Sequence, residues 1–182
     1  MAEKGHSVAT IVDFVTGDIL PNIGAEANRQ AVERLLVNKL GYEKQDIAVD
    51  VDIEMNIDGQ PYRSQVDLVV SVDGVRLMAV KCAAGSLGSR EREILAAARL
   101  LDAYQLPRSM VSDGKTAIVL DTVTGKKIGE GLHMIPTKAQ AREIIRPANL
   151  LPLSPDRLER ERLIFRSYDS MNVNVRRNLF IQ

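Results

Sequence analysis

The chain has no tryptophan, one cysteine, two histidines and only 4% aromatic residues. With Cys82 alone there can be no internal disulfide and no cysteine-rich zinc cage. His6 and His133 lie far apart without ligand spacing, which argues against a histidine dyad and a zinc site. The shortage of aromatics disfavours binding of single strands by base stacking. No sign of charge dominates, since 24 Lys and Arg balance 24 Asp and Glu, so any nucleic-acid contact must come from a local patch. There is no apolar run near the roughly 18 residues of a membrane span and no signal-like start. The expectation is a soluble cytoplasmic protein with no membrane partner. A Gly-x-x-x-x-Gly-Lys-Ser/Thr loop is also missing, so these residues are not a complete nucleotide-driven translocase.

What is present is globular: 182 residues, 26% of them charged and 45% hydrophobic, enough to bury a core without staples. The expected organisation is one domain over 1–145 and an appendage over 146–182. "HSVATIVDFVTGDILPN" and "TAIVLDTVTGKKIGEGL" share Asp-x-Val-Thr-Gly between short apolar runs, which predicts two hairpins with the same turn chemistry. From Ala25 the rows Ala27, Ala31, Leu35 and Val32, Leu36, Leu40 predict a helix of about four turns, stopped at Gly41. Strands follow, with Val49, Val51, Ile53 and Met55 on one face and Asp50, Asp52 and Glu54 on the other. "GSREREILAAARLLDAYQLP" predicts a second helix capped by Ser89 and closed by Pro107. Two more strands come next, then a short helix in "TKAQAREII", a proline-rich connector, a basic amphipathic helix in "DRLERERLIFRSYDSM" and a terminal strand. The fold class is α/β (α+β), a sandwich with a mixed central β-sheet flanked by helices.

Between "VDLVV" and "AVKCAA" the turn decides which side chains meet, because strand residues alternate faces. A two-residue Asp73-Gly74 turn in regular register would send Asp67 and Lys81 to opposite faces and bury one of them among valines. A three-residue loop, Val72-Asp73-Gly74, instead pairs Ser71 with Val75 and sets Asp67 opposite Ala79. Gln65, Asp67, Ala79 and Lys81 then share one face, and Val66, Leu68, Val70, Met78, Val80 and Cys82 the other.

An Asp on one strand and a Lys on the next, after the Glu-x-x-Arg-Gln helix start and Leu-Gly-Tyr end of "GAEANRQAVERLLVNKLGY", resemble the PD-(D/E)XK nuclease superfamily. "VDLVV", "AVKCAAGS" and "SMVSDG" extend the likeness to the N-terminal nuclease domain of type I restriction enzyme R subunits, over roughly 10–145. The resemblance implies a restriction-endonuclease-like fold and Mg²⁺-dependent DNA phosphodiester hydrolysis. It places catalytic roles on Asp67, Lys81 and Glu26, and metal ligands at Asp67 and Glu26. DNA is the implied partner, with Arg90 and Arg92 the candidate phosphate contacts. Two positions depart from the pattern. Ala79 stands where the acid two residues before the lysine belongs, and the second helix lacks Gln-x-x-x-Tyr.

Ala79 has three accounts. The scaffold has outlived the reaction, a carboxylate from Glu26, Glu91 or Glu93 fills the gap, or the alanine was introduced to inactivate the protein. The rival reading is a non-catalytic binding or assembly module, with a protein partner or a second copy of the chain. On general grounds Asp67 and Lys81 could be a simple cross-strand ion pair, Glu26 a helix-start acid, and Cys82 an inert core residue.

Overall fold

The "Asp-x-Val-Thr-Gly" echo folds as the same turn twice in the computed structural model, which describes residues 8–171. In the first copy the Gly17 amide donates to the Asp13 carbonyl and Asp13 Oδ1 accepts from the Thr16 amide. In the second the Gly125 amide donates to the Asp121 carbonyl and Asp121 Oδ1 accepts from the Thr124 amide. The first turn joins β1 (Thr10–Val12) to β2 (Ile19–Pro21) in a two-stranded sheet. The second joins β7 (Ala117–Asp121) to β8 (Lys127–Glu130) at the far end of the main sheet.

That main sheet has six strands in the order β3-β4-β5-β6-β7-β8, with β3 (Ile47–Ile57), β4 (Gln60–Val72), β5 (Val75–Cys82) and β6 (Arg108–Ser112). β5 and β6 are parallel, and α2 (Glu91–Leu100) makes the crossover. The other neighbours are antiparallel, so the sheet is mixed. The remaining helices are α1 (Glu26–Leu40), α3 (Lys138–Ile144) and α4 (Pro155–Met171). No described helix is long and apolar enough to cross a membrane. The expected terminal strand and His6 lie outside the described residues.

Two cores sandwich the sheet. The first gathers Val32 and Leu36 of α1 with Leu68, Val70, Met78 and Val80. The second packs α2 and α4 on the other side, through Ile94, Ala97 and Phe165 against Val66, Val69 and Ala79. Although Phe165 belongs to the stretch expected as an appendage, it is buried in this second core.

Several local expectations need correction. α1 ends at Gly41 in the left-handed conformation (φ 80°), as its spacing predicts. Its buried face is not the alanine row, however: Ala27 and Ala31 are exposed, while Glu26, Arg29, Gln30 and Glu33 are buried. Ser89 does not cap α2; its hydroxyl donates to the Ser86 carbonyl, a short 3-10 turn precedes the helix, and the helix ends at Leu100, before Pro107.

The β4–β5 turn is the two-residue one. Asp73 and Gly74 both take positive φ (49° and 82°), and Val72 pairs with Val75. A bulge between Val70 and Ser71 then shifts the register, so Ser71 faces Arg76, not Val75, and Val69, not Asp67, faces Ala79. The surplus residue on β5 is Leu77, which enters the first core beside Met78. The bulge restores the parity that a regular two-residue hairpin would have broken.

The long β3–β4 ribbon also exchanges faces midway. Val49 and Leu68 pack in the first core, but Val51 and Val66 in the second, so neither predicted apolar row is continuous. At the crossing sit Asp50, in the left-handed conformation (φ 50°), and Asp67. A positive φ in a non-glycine residue is tolerated best by Asn and Asp, which fits aspartate at this point.

Candidate functional site

Past the bulge, the register carries Asp67 toward Lys81, and the two side chains meet: Lys81 Nζ lies 3.6 Å from Asp67 Oδ1. Asp67 Oδ2 accepts the Cys82 amide at 2.7 Å, which fixes the carboxylate beside the next strand. α2 brings a second acid, since Glu93 Oε1 stands 3.2 Å from the same Nζ. Arg90, one turn earlier, approaches Glu93 Oε2 at 3.8 Å. The result is one lysine held between two carboxylates on different elements, with the lysine side chain 10% exposed, Glu93 4% and Asp67 20%.

Burial opposes the charge on Lys81, but Asp67 and Glu93 together outweigh it and hold its pKa above the ordinary lysine value. Burial pushes Glu93 upward, and the lysine that it shares with Asp67 only partly offsets the loss of water. Asp169 of α4 adds its negative field at both groups. It is fixed by Ser64, whose hydroxyl donates to Oδ1 at 2.8 Å, and by the Tyr62 hydroxyl, which donates to Oδ2.

Glu26 belongs to a different cluster. Its Oε1 accepts from Arg29 Nη2 at 2.8 Å and from Gln30 Nε2 at 3.0 Å, so the Glu-x-x-Arg-Gln start of α1 binds to itself. Arg29 also reaches Asp13 at 3.0 Å, Asp50 at 3.2 Å and Glu33 at 3.9 Å. Four carboxylates from a hairpin turn, a helix and a strand therefore surround one guanidinium. Asp13 stays ionised: burial raises its pKa, but the Thr16 and Val15 amides, Gln30 and Arg29 bring it below the usual value. Glu33 goes the other way, pushed up to about 7 by burial and by Asp13 despite Arg29.

The structure thus brings Asp67 and Lys81 together and sets Glu26 in the neighbouring Arg29 cluster. Arg90 flanks Glu93, while Arg92 faces solvent. Ala79 is fully buried in the second core. Sequence reasoning passed over Arg29, Glu33, Asp13 and Asp169 as site residues, and had Asp50 only on the acidic face of its strand. The signal for the first two was available, because positions 26, 29, 30 and 33 follow the i, i+3, i+4, i+7 spacing of one helix face. Asp13, Asp50 and Asp169 join only through tertiary contacts.

Asp67 and Glu93 are oxygen donors of the kind a hard divalent cation takes, and Mg²⁺ is commonly held by one or two carboxylates with water and phosphate completing its shell. Among the described residues no three His, Cys, Asp or Glu side chains gather as a protein-only cage. A two-carboxylate site fits the donors present, while Glu26 is engaged by Arg29 and Gln30 in the neighbouring cluster.

Comparison with known families matches residues 24–136 to the type I restriction enzyme R protein N terminus, and the chain belongs to that family. No curated protein and no solved structure matches it.

Proposed function

We propose that this member of the type I restriction R protein N-terminal family is a DNA phosphodiesterase domain of PD-(D/E)XK type, in which Glu93 of α2 takes the role vacated at Ala79. The observation that carries this reading is the convergence of Asp67 and Glu93 on Lys81. Strand and helix supply the carboxylates, so the strand no longer needs its own.

Asp67 and Glu93 would hold Mg²⁺, which when bound offsets phosphate charge and acidifies water. The chain's own residues do the positioning. The Cys82 amide keeps Asp67 oriented, and Arg90 steadies Glu93 from the side away from the lysine. Lys81 retains its proton at neutral pH and presents a fixed positive charge to a phosphate oxygen, where charge builds during displacement. Arg90 and Arg92, at the start of α2, would take flanking phosphates.

The test is calorimetric titration of the full chain with Mn²⁺ and Mg²⁺, followed by plasmid nicking. Wild type should bind a divalent ion and nick DNA. Asp67→Asn and Glu93→Gln should each lose both properties, while Glu26→Gln should leave metal binding in place. A folded wild type that takes no divalent ion rules the reading out.

A second reading, a binding or assembly module on the same scaffold, is favoured by the burial of Lys81 and Glu93. It predicts that a partner protein, a second copy or DNA binds with no dependence on divalent ions.

A further inference from the structure

The family match ends at residue 136, yet α4, at Pro155–Met171, lies against the sheet face that carries Ala79 and Lys81. Three attachments hold it there. Glu161 accepts from Arg99 Nη1 of α2 at 2.8 Å, with both side chains buried. Phe165 sits in the second core with Ala79 and Ile94 and meets the Tyr62 ring edge-on at 6.3 Å. Asp169 is bound by Tyr62 and Ser64 of β4.

This arrangement does two things to the site. It adds an aromatic ring to the core that holds Ala79, and it sets a third carboxylate in the field of Lys81 and Glu93. A phosphodiester approaching Lys81 from that side meets a helix and a negative charge. We propose that α4 is an autoinhibitory cap over the Asp67–Lys81–Glu93 site, latched by Asp169 on Tyr62 and Ser64, and that substrate enters when the latched end of the helix lifts. The proposal rests on the nuclease reading of that site, but the closure can be measured without it.

The latch is separable from the packing. Tyr62→Phe keeps the ring against Phe165 and removes the hydroxyl; Ser64→Ala removes the other donor. In the full chain carrying both changes, pulse acylation of lysines read by mass spectrometry should show Lys81 reacting at least tenfold faster than in wild type, with exposed Lys39 as the internal standard. An unchanged Lys81 rate in the folded double variant overturns the cap. Should the variant fail to fold, amide exchange of wild type decides. Exchange of the last turns of α4 through an opening that leaves β5 protected supports the cap, and exchange only together with β5 makes α4 part of the core and ends the proposal. Plasmid nicking and Mn²⁺ titration on the same double variant separate the two ideas. A reactive Lys81 with neither metal binding nor nicking leaves the cap standing and removes the nuclease reading. A rise in nicking alongside the rise in acylation supports both.

Discussion

Two charged clusters lie side by side across the β3–β4 ribbon, and they use different cations. Around Arg29, four carboxylates share one guanidinium whose side chain is 3% exposed. Around Lys81, two carboxylates share one ammonium at the edge of the second core. A guanidinium is planar, always charged and fixed in a fork, whereas an ammonium is a compact point charge on a flexible stem. Arg29 can therefore tie the β1–β2 turn, α1 and β3 into one arrangement. Lys81 leaves its acids oriented but exchangeable, as the proposed phosphodiesterase site would require. The lesson is that the helix-start Glu26, although nearest to the family pattern in sequence, is held by Arg29 and Gln30 in this geometry, and that Glu93 stands with Asp67 beside the lysine.

The strongest way to break this comparison is Arg29→Met. It leaves four acids around an apolar side chain, and breaking a buried ion pair costs about 3–5 kcal/mol. Urea unfolding should show that loss; a change under 1 kcal/mol would mean that the Arg29 cluster does not tie the fold together. Ala79→Glu asks the same question of the other cluster. Because Ala79 is fully buried in the core that holds Val69, Ile94 and Phe165, a carboxylate there is overpacked and poorly hydrated. The expected cost is about 3 kcal/mol, with no divalent-ion heat beyond that of wild type. A variant that is stable and gains a metal would place the vacated acid position at the working site and remove the need for Glu93.

Much of this was legible in residue spacing. The Asp-x-Val-Thr-Gly turns, the stop at Gly41 and the helix after Pro136 follow from local chemistry that tertiary contacts did not override. The shared face of Asp67 and Lys81 was also legible, because burying either among valines is costly. The device that achieves it was not. A type I′ turn with a bulge at Leu77 and a three-residue loop satisfy the same parity rule, and only packing of Leu77 beside Met78 distinguishes them. The face exchange at Asp50 had no periodic signal, because it interrupts the alternation on which strand reading depends. The polar buried face of α1 was missed for a related reason: alanine rows read as core, although here they face solvent.

Glu33 sharpens the comparison by pH. Its folded pKa is raised from 4.5 to about 7, so between those values the folded state binds more protons than the unfolded chain and stability falls as pH rises. The effect is largest above pH 7, where the folded state has to ionise a buried acid, and at 1.36 kcal/mol per unit it is about 3 kcal/mol. Asp13, lowered, acts in the opposite sense at more acidic pH, losing stability as pH falls through its folded value. Glu33→Gln should therefore melt above wild type at pH 8 and draw level with it near pH 5, by differential scanning fluorimetry. Parallel melting curves across that range would show that Arg29 already compensates Glu33 in full.

Lys81→Met should have the smallest effect on stability. Asp67 keeps the Cys82 amide and is partly hydrated, and Glu93 keeps Arg90, so neither acid is left bare. The long apolar stem of the lysine is replaced by one of similar volume, and the expected loss is about 1–2 kcal/mol by urea unfolding, below that of Arg29→Met. Removing the ammonium also leaves two carboxylates facing each other without a cation between them. Divalent-ion affinity should then hold or rise while DNA nicking falls, because the charge that would meet the phosphate is gone. A Lys81→Met protein as unstable as Arg29→Met would give the two clusters the same structural role, and the distinction between a fixed guanidinium and an exchangeable ammonium would no longer identify the site.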